Sequence, residues 1–320
     1  MLRIITLAAC AAATLLASQV KAAWPERPVT LIVPFAAGGL TDLLARVTAE
    51  RLEATFKRPF IVQNVPGAAG TIATQRAARA EPDGYTLFFA TISQITIAPF
   101  THKLDFDPMK AFAPISMIFT APFIITVRDS FPAKDVREFV AHVKANPGKI
   151  PYSSAGPGSL SHLSAAVFLK SAGLDMIHVP YKGIAPAFAA LLGGQVEMLA
   201  ASPVELRPHL QTKKLKLLAA TSAERIKALP DVPTIAEVFP GAPAVVTWNG
   251  VLAPTGTPQD VIAALSRVII EAEKSPEFRE RLTQLGVDPV VGTPADFAKT
   301  IAEDTARWRE LIPELGLQAK

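Results

Sequence analysis

"LIVPFAAGGLTDLLARVTAERL", residues 31–52, decides the fold. It opens on an apolar run ending at Phe35, turns through Gly38 and Gly39, and continues with Leu40, Leu43, Leu44, Val47 and Leu52 at helical spacing. A run that is apolar at successive positions is a strand buried on both faces, as in a parallel sheet covered by helices. The glycine pair therefore joins the C-terminal end of a strand to a helix N-terminus. The first amides there lack intrahelical acceptors, the macrodipole is positive, and glycine lets a ligand approach the backbone closely. An anion is the natural guest. Any tight strand-to-helix turn also uses glycine, so the pair alone does not separate a site from a turn. Asp42, in the first turn, would repel an anion by direct contact and is expected to organise the loop or bound water.

Runs of the same kind recur at 29–35, 59–65, 85–91, 123–129, 195–202 and 214–222, bounded by Gly, Pro and Asp and separated by helical patterns. This is an α/β chain. A second segment, "KIPYSSAGPGSLSHLSAAVFLKSAG" at 149–173, repeats the opening design: a short strand, a Ser/Gly loop, and a helix with Leu160, Leu163 and Val167 facing inward. Ser159 or Ser161 can cap that helix and Gly173 can end it. Two anion loops over a hundred residues apart suggest two lobes closing on one small anion. Charge-assisted hydrogen bonds contribute roughly 1.5–3 kcal/mol each, so a few suffice in a dry cleft.

Outside these loops the sequence mostly excludes. Residues 1–23 carry Arg3, an apolar run and then small residues, the order of a cleavable secretory signal. "LAAC" at Cys10 matches a lipoprotein box, but cleavage there would shorten the signal core and expose "AAATLLA", so lipid anchoring is not expected. Cys10 is the only cysteine, leaving the exported chain no disulfide or thiolate. Without Arg3 and Lys21, 30 basic residues face 28 acidic ones, a net +2 that makes no nucleic-acid footprint. Thr257-Pro258, Ser275-Pro276 and Thr293-Pro294 mark helix starts in the C-terminal part, with Gly286 and Gly316 as stops. No GxSxG, GxxxxGK[ST], GxGxxG or HExxH occurs, so no cofactor or metal is expected. An exported serine hydrolase of small esters or amides stays open as an alternative, with Ser154 or Ser159 as nucleophile and His162 or His178 as base.

Several long motifs in order, "WPERPVTLIVPFAAGGLTDLLAR" (24–46), "VQNVPGAAG" (62–70), "EPDGYTL" (81–87), "YSSAGPGSLSHL" (152–163), "HVPYKGIAPAFAALLGGQVEML" (178–199), "LPDVPTIAEVFPG" (229–241) and "WNGVLAPTGTP" (248–258), give the chain a further reading. It closely resembles the extracytoplasmic solute receptors of tripartite tricarboxylate transporters, the Bordetella-uptake type of periplasmic binding protein. The resemblance implies a two-lobed, type II flytrap fold with a mainly parallel sheet in each lobe. Lobe 1 would be 24–123 and 247–320, lobe 2 124–246, with a hinge where the chain crosses twice. It further implies a periplasmic, non-catalytic monomer that takes a small carboxylate between its lobes and delivers it to membrane transporter subunits. Carried over by position, the first loop contributes Ala37, Gly38, Gly39, Thr41 and Asp42. The second contributes Ser154, Ala155, Gly156 and Ser159, with His162 and Tyr181 beside it, and Ser93 is a further candidate. Many relatives have an acid and a polar residue where this chain has Ala201 and Ser202. Ser202 thus joins the candidates, and a carboxylate without an α-ammonium group is expected, since only a serine hydroxyl would accept there.

Overall fold

The computed structural model describes residues 24–210, 212, 214–284 and 287–319. The expected signal segment with Cys10, and the helix stop at Gly286, lie outside them. In chain order the elements are β1 (Val29–Val33), α1 (Leu40–Phe56), β2 (Phe60–Asn64), α2 (Thr71–Ala78), β3 (Thr86–Thr91), β4 (Phe112–Pro122), β5 (Ile124–Arg128), α3 (Val136–Lys144), β6 (Pro151–Ser154), α4 (Leu160–Ala172), β7 (Ile177–Pro180) and α5 (Ile184–Leu192). There follow β8 (Met198–Ala201), α6 (Pro203–Leu210), β9 (Leu215–Ala220), β10 (Val246–Pro254), α7 (Gln259–Lys274), α8 (Pro276–Gln284), β11 (Asp288–Pro289) and α9 (Pro294–Glu314), with shorter helical turns between.

The strands form two sheets, ordered β11-β4-β10-β3-β1-β2 and β7-β6-β8-β5-β9. Each is apolar on both faces, as the continuous runs require. In β1, Val29, Leu31 and Val33 pack with α1 and α7, while Ile32 packs on the opposite side with α2 and α9. In the second sheet Ile125 and Val127 face α3 and α4, and Ile124 faces α5. Both sheets are mixed. β1 runs parallel to β2 and β3, and β6 parallel to β7 and β8. β10 runs antiparallel to β3 and β4, and β5 antiparallel to β8 and β9. The parallel parts carry the two loops of interest, since only a parallel strand needs a crossover helix and so a strand-to-helix turn.

Chain crossings between the sheets meet at Thr221. Its hydroxyl accepts from Phe123 N–H (2.9 Å) and donates to Val245 C=O, while its backbone bonds Phe123 and Val245 again. One buried threonine thus ties the outgoing and returning strands together. The expected C-terminal caps form at α9, where Thr293 and Asp296 make a reciprocal capping box, and at α8, where Ser275 Oγ accepts from Phe278 N–H. At the start of α7 the Thr257 hydroxyl instead donates to Pro254 C=O (2.7 Å), closing the preceding turn, and the helix begins at Gln259. Gly316, at φ +68°, follows the end of α9 as expected.

Candidate functional site

The loop between β1 and α1 is held from behind by Asp42. Its carboxylate accepts from Gly38 N–H (3.0 Å), Asn64 Nδ2 (2.9 Å) and Arg46 Nε (3.1 Å), and Asn64 also donates to Phe35 C=O. Burial alone would raise the carboxyl's pKa; the hydrogen bonds from Arg46, Gly38 and Asn64 outweigh it and hold the group below its ordinary value. Asp42 therefore stays charged and spent, organising the loop as its position suggested. Gly38 sits at φ +91°, a conformation that favours glycine.

The loop between β6 and α4 is braced by hydroxyls. Ser161 Oγ accepts from Ala155 N–H (2.8 Å), Ser159 Oγ donates to Gly156 C=O (2.7 Å), and Ser159 caps the helix at His162 N–H. Beneath it His162 and His178 stack with ring centroids 3.9 Å apart. His162 Nδ1 accepts from Gly158 N–H, and His178 Nε2 lies 2.6 Å from Ser154 Oγ. Burial, with His178 adding to it, pushes His162 down to about 3, and burial pushes His178 down to about 4. Both are neutral near pH 7, where two stacked cations would repel. The Ser154–His178 contact has the form of a nucleophile and base, but Ser154 is fully buried under its loop, and no carboxylate among the described residues orients His178.

The two helix N-termini face each other, and each is capped from the other side. Leu40 N–H, leading α1, donates to Glu205 Oε1 on α6 (3.1 Å). Leu160 N–H, leading α4, donates to Ser93 Oγ beyond β3 (3.0 Å). Between them lies a cavity lined by Phe35, Gly39, Thr41, Phe123, Ile184 and Asn249, among others. Its volume of about 60 Å³ is several times the 10–15 Å³ that one water needs. Asn249, buried on β10, presents an Nδ2 with no hydrogen-bond partner among the described residues.

Of the residues expected from sequence, Gly39, Thr41, Asp42, Ser93, Ala155 and Ser159 line this cavity. Gly156 and Tyr181 line a neighbouring one with Gly67 and Lys182. Ala37 and Gly38 are exposed on the loop, and Ser154 and His162 lie beneath the second loop; none of the four lines the cavity. Ala201 and Ser202 also lie outside the lining; Ala201 packs in the core, and Ser202 N–H donates to Glu205 Oε2 (2.9 Å). Beside Asp42, a second acid lines this cleft, Glu205, which sequence reading passed over. Burial pushes its carboxyl up to about 7, against the backbone N–H groups of Leu40 and Ser202 that favour the charged form. Its signal was the S-x-x-E spacing of Ser202 and Glu205, a capping-box pattern. Trp248 is core, its ring edge-on to Phe297 and its Nε1 donating to Asp304.

Comparison with known proteins gives this geometry a family. Protein BugT of Bordetella pertussis is 34% identical over 309 residues, covering 93% of this chain and 92% of that protein. Among solved structures, R. palustris Rpa4515 with adipate superposes at TM-score 0.90 with 31% identity, covering 93% of this chain and all of its own. MatC of Rhodopseudomonas palustris with bound malate superposes at 0.85 with 34% identity, covering 90% and 100%. The profile of the tripartite tricarboxylate transporter family receptor matches residues 44–317, and the chain belongs to that family.

Proposed function

We propose that this protein is a periplasmic solute receptor that captures a small carboxylate between two lobes and presents the closed form to the membrane subunits of a tripartite transporter. The observation that carries the reading is the buried Asn249 Nδ2, an unpartnered donor in a cavity flanked by two helix N-termini. The amides of Thr41 and Ser161, in the first turns of those helices, have no intrahelical acceptor and add to the donor set. Lobe 1 comprises 24–123 and 247–320 and lobe 2 the residues between, with Thr221 at the crossing. Residues 1–23 act as the export signal, and the receptor works as a monomer without catalysis. Relatives solved with adipate and malate support the ligand class.

The test is calorimetry and thermal denaturation against mono-, di- and tricarboxylates. Ligand at about 100 times its dissociation constant should stabilise the fold by roughly 2.7 kcal/mol. Asn249→Leu should weaken that binding at least about tenfold, since a good hydrogen bond to a charged acceptor contributes roughly 1.5–3 kcal/mol. No shift with any carboxylate would sink the reading.

A further inference from the structure

The charges around the cavity are unusual for an anion site. Among the described residues its lining includes two carboxyls, Asp42 and Glu205, and no lysine or arginine. Asp42 is neutralised by Arg46 one turn along its own helix, α1, at 3.0 Å. Glu205 has no ion pair among the described residues; it is held by backbone amides, Leu40 N–H from the first lobe, and Ser202 N–H and its own N–H from the second. It thus takes up an amide of the first loop that a ligand carboxylate would otherwise claim. The rest of the wall is apolar or neutral: Phe35, Phe123, Leu160 and Ile184, with Asn249 as a neutral donor.

We propose that Glu205 makes this cleft selective for a monocarboxylate, one carboxylate held by loop amides and an uncharged body against the apolar wall, and that it excludes dianions. The proposal rests on the receptor reading and sharpens it. A second ligand carboxylate would enter a site with no cation to receive it and with Glu205 already installed. In a cleft closed to water the repulsion between two such carboxylates is poorly screened. An uncharged end meets no such opposition.

The experiment measures affinities for two pairs matched in chain length, butyrate with succinate and hexanoate with adipate, at pH 8, above the value near 7 that burial gives Glu205. The wild type should bind each monocarboxylate at least about tenfold tighter than its partner. Glu205→Gln, which keeps an oxygen for Leu40 N–H, should raise succinate and adipate affinity about tenfold and change the monocarboxylates by less than about threefold. Succinate or adipate binding as tightly as its partner in the wild type would overturn the proposal and leave the receptor reading standing. Monocarboxylates preferred equally by wild type and the glutamine variant would show that Glu205 is not the cause. Binding of none of the four would overturn this proposal, while the receptor reading falls only if no carboxylate of the wider series binds.

Discussion

In the proposed receptor, Gly39 should serve binding more than folding. Its φ of −85° is open to any residue, so glycine is not needed there for backbone reasons. A Cβ would lie 3.3 Å from Ile184 Cγ2 across the cleft, tighter than ordinary contact. Gly39→Val should therefore hold the lobes apart, lowering carboxylate affinity at least about tenfold while the unfolding midpoint in urea moves little. Unchanged affinity in a calorimetric titration would remove this residue from the site. Gly38 is the converse case: nothing lies within 4 Å of a Cβ built there, but φ is +91°, so Gly38→Ala should cost stability, roughly 1 kcal/mol, and spare binding. The helical spacing after the glycine pair made this loop readable. Asn249 was not, because a single polar residue in a buried strand carries no period, and only the antiparallel placement of β10 beside β3 brings it to the cleft. Glu205 was hidden for a different reason: its capping spacing points to its own helix, while its second bond, to Leu40, spans 165 residues.

At the scale of elements, the apolar runs revealed six strands because double-sided burial writes itself into consecutive positions. β4 escaped because Pro114 and Pro122 interrupt its pattern, and its pairing with β10 shifts register twice. α7 contains a local conflict of another kind. Glu273 is fully buried, and neither carboxyl oxygen has a partner among the described residues. Burial pushes its pKa up to about 9, with Arg279 opposing only weakly. An acid whose folded pKa exceeds its unfolded value binds an extra proton in the fold, so this group's contribution to stability falls as pH rises from about 4.5 to about 9. Glu273→Gln should flatten that slope, and Glu273→Met should stabilise the protein by roughly 1–3 kcal/mol at pH 8 by removing an unsatisfied polar group. Denaturant titrations of the three proteins at pH 6 and 8 check both; a wild-type stability that rises over that interval while the glutamine variant's does not would contradict the sign.

Over the whole molecule, several bonds join the two lobes across the cleft. Leu40 to Glu205 and Leu160 to Ser93 join the helix N-termini, Lys170 reaches Glu314 at 3.0 Å, and Arg207 Nη1 donates to Gln284 C=O. Leu160, Leu163 and Val167 of α4 also share a core cluster with Ile95 and Trp308 of the other lobe. The polar groups can be hydrated in an open form, and exposed ion pairs such as Lys170–Glu314 contribute only about 0–1 kcal/mol, so these polar bonds add little to closure by themselves. A bound carboxylate that takes donors from both loops adds a few charge-assisted bonds, roughly 1.5–3 kcal/mol each, that exist only when the lobes meet. Small-angle scattering should therefore show a smaller radius of gyration with saturating carboxylate than without. Ser93→Ala, which removes one crossing bond and leaves the lobes intact, should enlarge the ligand-free particle or leave it unchanged, and should weaken binding by several-fold. Thr221→Val, acting at the crossing instead, should lower stability by roughly 1–3 kcal/mol by stranding Phe123 N–H and Val245 C=O. Scattering profiles that coincide with and without ligand would contradict lobe closure, whatever the affinities prove to be.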